Sequence, residues 1–143
     1  MGCFRDADEV YAYIGRIFEE IVADPELGSS VQQADTIVQY RLSDPEALIT
    51  ARIRQGEERR LDLGETDLEP EVVMSMDADT AHRFWLGQIS ITMAMTRGEI
   101  KTKGPVAKIL RLVPLVGPAF PRYLELLAES DRPELAEQAA VGV

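Results

Sequence analysis

The sequence predicts an α+β (α/β) fold, a single domain in which helices cover one face of an antiparallel sheet of about five strands. One observation is the helical spacing of apolar residues over residues 6–23. Another is a series of short alternating runs between residues 35 and 63, separated by turn-forming residues. The length of 143 residues also suits one globular domain. We expect one domain over residues 1–143, with an N-terminal helix and connection (1–34), a sheet with central helices (35–104), and C-terminal helices with a tail (105–143).

The N-terminal part begins with an amphipathic helix over residues 6–23. Its apolar residues recur at steps of three and four: Val10, Ile14, Ile17, Phe18 and Ile21. Pro25 is expected to end this helix, because the residue before a proline is biased away from helical geometry. A helix packed on the sheet is the simpler interpretation, and a dimerisation helix is the alternative. Residues 26–34 are expected to form a connection.

Three alternating runs follow, over residues 35–42, 47–54 and 59–63. In the first run, Val38, Tyr40 and Leu42 would share one face of a strand. The turn-forming groups Ser43-Asp44-Pro45 and Gln55-Gly56-Glu57 separate the runs. Short strands joined by turns predict an antiparallel meander.

The stretch from residue 71 to residue 104 carries the strongest local signals. Val72, Val73, Met74 and Met76 predict a fourth strand, followed by an N-cap at Asp77, a helix over residues 78–86 and a helix end at Gly87. Residues 88–97 are ambiguous, because their apolar residues alternate as in a strand but also suit a helix buried on several sides. Gly98 and Gly104 bracket a predicted fifth strand.

This ordered spacing resembles the sterol carrier protein-2 (SCP2) family of lipid-binding domains. The matching residues are Met74-Ser75-Met76, Asp77, Phe84, Gly87, Gly98-Glu99-Ile100-Lys101 and Gly104. The resemblance implies that residues 88–97 form a helix, and that a hydrophobic tunnel lies between sheet and helices. It also implies a protein without enzymatic activity, which carries or presents a sterol, a fatty acid or an acyl-CoA.

The segment after Gly104 is apolar and rich in proline. Pro105 suits the start of a helix that runs to about Leu112. Three prolines and a glycine within residues 114–121 are expected to prevent a continuous helix, so this segment either lies on the core or forms a lid. Residues 122–129 predict a final helix, and residues 131–143 a frayed tail, although residues 135–141 could extend the helix.

Charge and composition exclude several classes of function. The formal net charge of −10 repels phosphate groups, which argues against nucleic acid as a partner. No apolar run reaches the ~18 residues of a membrane span, so no stable membrane insertion is expected. The single cysteine, Cys3, is typical of a protein of the reducing cytoplasm. Asp6 stands where the myristoylation pattern requires Ser or Thr.

No pattern of residues predicts catalysis, a metal site or a cofactor. His82 is the only histidine and has no cysteine or second histidine at metal-ligand spacing. The acidic loop at residues 64–70 lacks the spacing and the glycine of a calcium-binding loop. We therefore expect no enzyme activity, no metal and no cofactor.

The apolar residues after position 83 are the predicted binding site. The walls of the tunnel are expected to be Phe84, Trp85, Ile91, Met93, Met95 and Ile100, and its mouth Leu112, Leu115 and Phe120. Methionine suits such a wall because its unbranched side chain adapts to ligands of different shape. The alternative is an interaction module that uses residues 112–120 to bind a partner protein or a second copy. The chain is expected to be a monomer or a homodimer.

Overall fold

The computed structural model describes residues 2–136, and the chain begins there with the predicted amphipathic helix. Its parts are α1 (Ala7–Val10), a π-helical turn (Tyr11–Gly15) and α2 (Arg16–Ala23). The five predicted apolar residues are all buried. Two contacts fix the π-helical turn: the Tyr11 hydroxyl accepts from the Leu48 backbone N–H at 3.0 Å, and Gly15 allows the Leu63 side chain to approach closely.

Residues 26–34, predicted to be a connection, are helical. Helix α3 spans Pro25–Val31 and a 3₁₀ turn follows at Gln32–Ala34. The Asp24 carboxylate caps α3 by accepting from the backbone N–H groups of Glu26 and Leu27 at 2.9 and 2.8 Å. Pro25 therefore starts a helix as well as ending one, because the first turn of a helix needs no N–H from it.

The sheet has the five predicted strands but is mixed rather than antiparallel throughout. The strands are β1 (Thr36–Ser43), β2 (Ala47–Ile53), β3 (Arg60–Leu63), β4 (Val72–Asp77) and β5 (Lys101–Lys103). Their order is β3-β2-β1-β4-β5. The first three form the predicted meander, whereas β4 pairs with β1 in parallel. The reason is the extended connection over residues 64–71, which returns the chain to the starting end of β1 before β4 begins.

Two short helices separate β4 from β5, as predicted. Helix α4 spans Ala78–Trp85, and the Asp77 carboxylate accepts from the Thr80 backbone N–H at 2.7 Å. Helix α5 spans Ile91–Thr96, so the ambiguous segment is helical. Gly87 and Gly104 have φ values of +75° and +96°, and a Cβ at position 104 would collide with the Glu71 carbonyl oxygen.

The proline-rich segment, predicted to be irregular, is helical almost throughout. Helix α6 spans Val106–Val116, a 3₁₀ turn covers Gly117–Ala119, and α7 spans Phe120–Ala128. Pro118 and Pro121 lie at the starts of their helical elements, where a missing N–H costs little. Only Pro114 lies inside a helix, in the last turn of α6. Val116 and Ala119 are buried, which places this segment against the core.

Residues 131–136, the described part of the predicted tail, contact the rest of the domain. Leu135 is buried, and its carbonyl lies 2.8 Å from His82 Nε2. Arg132 donates to the Cys3 carbonyl and forms an ion pair with Glu9 at the N-terminus. The predictions for residues 137–143 lie outside the described residues. None of the helices in residues 2–136 has the length and apolar character that a membrane crossing requires.

Candidate ligand-binding site

A small apolar cavity, here called the interior cavity, lies between the sheet and helices α4 to α6. Its volume is about 30 Å³, room for about two water molecules. The strands, α4 to α6 and the N-terminal helical region all contribute to its lining. The lining residues are Ile14, Phe18, Tyr40, Leu42, Ile49, Met74, Met76, Ala81, Phe84, Trp85, Ile91, Ile109, Leu112, Val113 and Val116.

A second cavity of about 20 Å³ adjoins the interior cavity, with which it shares lining residues. Its other lining residues include Val31 of α3, Val38 of β1 and Ile53 of β2. Four side chains line both cavities and form the partition between them: Phe18, Tyr40, Leu112 and Val116. Rotamer changes of these four side chains would alter the shape of both cavities.

An outer groove of about 410 Å³ borders the interior cavity, with which it shares lining residues. It runs between the loop that precedes α5 and the helices α6 and α7, with Leu110 and Phe120 among its walls. Phe84, Ile91 and Val113 line both the groove and the interior cavity. These three side chains, here called the inner gate, border both the groove and the cavity.

Aromatic rings hold the gate in place through edge-to-face contacts. The Phe84 and Phe120 ring centroids are 5.3 Å apart with the planes at 87°, and Trp85 meets Phe120 at 5.9 Å and 88°. On the inner side, Phe18 meets Trp85 at 5.2 Å and 82°. Edge-to-face pairs contribute ~0.5–1.5 kcal/mol beyond area burial. The gate is closed by contacts that are each weak enough to exchange.

The lining offers almost no polar group. Among the described residues, no charged side chain lines the interior cavity or the second cavity. Among the described residues, the polar side-chain atoms on the walls of these two cavities, apart from the sulfur atoms of methionine, are the Tyr40 hydroxyl and the Trp85 indole N–H. Burial raises the pKa of Tyr40 above its ordinary value, because the phenolate would be poorly solvated. Tyr40 is therefore a neutral hydrogen-bond donor at physiological pH.

The structure brings together five of the nine predicted site residues. Phe84, Trp85, Ile91 and Leu112 line the interior cavity, and Phe120 lines the outer groove. Their convergence follows from the helices that carry them, because α4, α5, α6 and α7 all border the same space.

The other four predicted residues do not line the cavity or the groove. Ile100 is buried elsewhere in the core, and Met95 and Leu115 are half-buried against the core. Met93 is 51% exposed, so its predicted place in the wall is wrong. The reason is that α5 is amphipathic: Ile91 and Ala94 face inward, which leaves the opposite side of the helix to solvent.

Sequence reasoning missed the half of the lining that comes from strands and the first helix. Tyr40 and Leu42 come from β1, Met74 and Met76 from β4, and Phe18 from α2. The alternation of Val38, Tyr40 and Leu42 already placed them on one face of a strand. Choosing that face as the inward one would have found Tyr40.

His82 lies outside this space, beneath the C-terminal segment. Its Nε2 must donate to the Leu135 carbonyl at 2.8 Å, because a carbonyl only accepts, and its Nδ1 accepts from the Tyr123 hydroxyl at 2.7 Å. Burial lowers the pKa of His82, so the neutral form is favoured. Within residues 2–136, no group of three or more His, Cys, Asp or Glu side chains is placed to hold a metal ion.

A mixed five-stranded sheet that encloses an apolar cavity under helices defines an α+β domain suited to hydrophobic ligands. The family model described as "SCP-2 sterol transfer family" matches residues 14–117, and the chain belongs to this family. Family membership supports lipid binding or transfer in general terms. No curated protein matches the chain.

Solved structures agree with this assignment at the level of the fold. Sterol carrier protein 2 from Yarrowia lipolytica in its apo form has a TM-score of 0.62 at 15% identity, covering 74% of this chain and 88% of that chain. The sterol carrier protein domain 2 of Helicoverpa armigera has a TM-score of 0.61 at 19% identity, covering 79% and 89%. A stereoselective inverting sec-alkylsulfatase from Pseudomonas sp. has a TM-score of 0.53 at 16% identity, covering 62% of this chain but 14% of the sulfatase. The same fold therefore also occurs as a small part of a larger enzyme.

Proposed function

We propose that this domain binds one elongated hydrophobic ligand, such as a sterol or a lipid acyl chain, in the space between the sheet and the helices. The observation that carries the proposal is the shared lining of three spaces. The interior cavity shares Phe84, Ile91 and Val113 with the outer groove, and it shares four other side chains with the second cavity. A ligand that displaces these side chains would occupy a continuous apolar tunnel.

The ligand must expand the interior to bind. The cavity of about 30 Å³ is far below the ~300–1,000 Å³ of typical ligand pockets. Met74 and Met76 on the sheet side can adapt by rotating three side-chain bonds, and the inner gate can swing towards the groove. The free energy for this rearrangement would come from apolar burial, at about 25 cal/mol per Å².

The ligand would be carried or presented unchanged. The lone histidine is hydrogen-bonded at both ring nitrogens and does not line the cavity. A turnover of ester or thioester substrates that His82→Gln abolishes in a folded protein would contradict this part of the proposal. We further propose that the carrier acts in the cytoplasm, which agrees with a single free cysteine.

Titration with a neutral fluorescent dye, N-phenyl-1-naphthylamine, tests the proposal. Dye emission should rise and saturate near one dye per chain, with a change in Trp85 emission. Native mass spectrometry of the purified protein should also show copurified lipid. Val113→Phe adds bulk at the inner gate and should weaken or slow dye binding, whereas Met93→Phe adds bulk at an exposed position of α5 and should not. Equal binding by both variants would place the dye elsewhere.

A second candidate function uses the outer groove as an interface with a second copy of the chain. Leu110, on the wall of this groove, is 46% exposed, which is unusual for a large apolar side chain. Leu110→Ser would then shift the sedimentation coefficient from that of a dimer to that of a monomer. A monomeric wild type at all accessible concentrations would remove this candidate.

A further inference from the structure

The polar atoms of the cavity indicate which class of ligand it accepts, an inference that rests on the proposed function. Tyr40 and Trp85 both line the interior cavity, and the Phe18 ring contacts both, at centroid distances of 4.8 and 5.2 Å. Neither the Tyr40 hydroxyl nor the Trp85 N–H donates to another described residue, and neither is a fully buried polar atom left without a partner. Within residues 2–136, each is a donor without a protein acceptor, in a space that is otherwise apolar.

The groups that an anionic ligand needs are missing along the whole path. Among the described residues, no lysine, arginine or histidine lines the interior cavity, the second cavity or the outer groove. The polar side chains of the groove are the hydroxyl groups of Ser90 and Thr92. A carboxylate moved into such surroundings would lose its hydration without gaining a counter-ion, which is strongly unfavourable.

The net charge of the whole protein also disfavours anionic ligands. The formal net charge is −10, so an approaching fatty-acid carboxylate or the phosphates of an acyl-CoA would be repelled. A neutral ligand experiences neither penalty. A neutral ligand with an oxygen acceptor would in addition satisfy one of the two free donors, which an alkane leaves unpaired.

We propose that the cavity selects an uncharged lipid with a hydroxyl, ketone or ester oxygen, and that the Tyr40 hydroxyl donates a hydrogen bond to this oxygen. The Trp85 N–H is a second donor on the lining of the same cavity. Fatty acids and acyl-CoA thioesters are excluded as preferred ligands by their negative charge, although their chains would fit a tunnel of this kind.

Competition for bound N-phenyl-1-naphthylamine tests this inference with ligands of matched chain length. At pH 7.5, the inhibition constants of methyl decanoate and decanol in this competition should be at least tenfold lower than that of decanoate. Tyr40→Phe should weaken the binding of methyl decanoate about fivefold, which is the factor that one ordinary hydrogen bond contributes. The affinity for undecane should not change. Tyr13→Phe removes a hydroxyl from a tyrosine that does not line the cavity and is the matched control.

A spectroscopic measurement separates the hydrogen bond from a change in folding. The ester carbonyl stretch of bound methyl decanoate should lie at lower frequency in the wild type than in Tyr40→Phe. If decanoate competes as well as methyl decanoate, or if the stretch does not differ, the inference is overturned while the proposed function stands. If neither the dye nor any of the neutral ligands binds, the proposed function itself fails.

Discussion

Phe84 and Phe120 meet edge to face, with ring centroids 5.3 Å apart and planes at 87°. Phe84 belongs to the inner gate, whereas Phe120 lines only the outer groove. The contact therefore connects the inner gate with helix α7 on the outer wall of the groove. A change at Phe120 should alter ligand access without altering the cavity lining.

Phe120→Ala should speed ligand association and dissociation, because Phe84 would lose the ring that holds it. The half-buried position suggests a loss of about 2 kcal/mol in the free energy of unfolding, less than the ~3–5 kcal/mol of a fully buried phenylalanine. Stopped-flow dye binding and urea unfolding measure the two effects. Leu124→Ala, at a position of the same helix that is 42% exposed, is the control and should change neither. Unchanged rates in Phe120→Ala would show that the contact does not control access.

Gly104→Ala should be among the most destabilising substitutions in the chain. The backbone has a φ of +96°, and the added Cβ would collide with the Glu71 carbonyl oxygen. Strain in φ costs ~1–2 kcal/mol and the collision adds ~1–3 kcal/mol or more. Gly98→Ala is the control: its φ is +78°, but nothing lies within 4 Å of the added Cβ. Comparable urea midpoints for the two variants would show that the collision with the Glu71 carbonyl oxygen does not determine the loss of stability.

Stability should fall as the pH drops below about 6.5, and His82 should cause the first part of this loss. Burial lowers the pKa of folded His82 from its ordinary value of 6.5, so the unfolded chain binds more protons in this range. The carboxylates whose pKa values are lowered, such as Glu71 beside Thr36 and Lys108, lose their contribution only below their ordinary value of 4.5. Urea unfolding from pH 7.5 to pH 5 therefore isolates the histidine.

The matched variant for this pH dependence is His82→Gln, which keeps a donor and an acceptor but cannot be protonated. It should be less stable than the wild type at pH 7.5 and should show a flatter dependence between pH 6.5 and pH 5. An identical slope in both proteins would assign the loss to other groups.

The Cys3 thiol should resist alkylation in the folded protein. Burial raises its pKa to about 12, and the hydrogen bond from Sγ to Asp79 Oδ1 at 3.0 Å together with the negative charge of Asp79 acts in the same direction. Since the thiolate is the reactive form, labelling with iodoacetamide at pH 8 should be far slower in the native state than in urea. Mass spectrometry of timed samples measures this ratio, and native labelling at the urea rate would contradict the buried contact.

The local signals of the sequence predicted the elements well where backbone chemistry decides them. Asp77 is an N-cap because its carboxylate accepts from the Thr80 N–H. Gly87 follows the end of helix α4 and adopts a positive φ. The parallel pairing of β4 with β1 was not predicted, because turn residues mark where a strand ends and not which neighbour it joins. The prediction that the prolines prevent helix formation was wrong, because the energetic cost of a proline depends on its position in the helix. Pro118 and Pro121 lie at the starts of helical elements, where this cost is small.

The lining of the cavity could be predicted only in part, because the sequence does not show how each short helix is oriented. The large apolar side chains after residue 83 directed the prediction to Phe84, Trp85 and Ile91, and these three residues line the interior cavity. Bulk alone could not separate Ile91 from Met93, because the difference is the orientation of a helix of six residues. The ligand-binding roles of these residues stay predictions.

The parallel pairing of β1 with β4 has a consequence for the order of events during synthesis. Val38 is paired with Val72, so one edge of β1 has no partner in any nascent chain that ends before β4. Such a chain can form the hairpins of the meander, yet it leaves an unprotected strand edge and half of an apolar face, which favours association with other chains. We therefore expect that the first 70 residues do not fold as an independent unit. The domain should become stable as a whole only after β4 has left the ribosome.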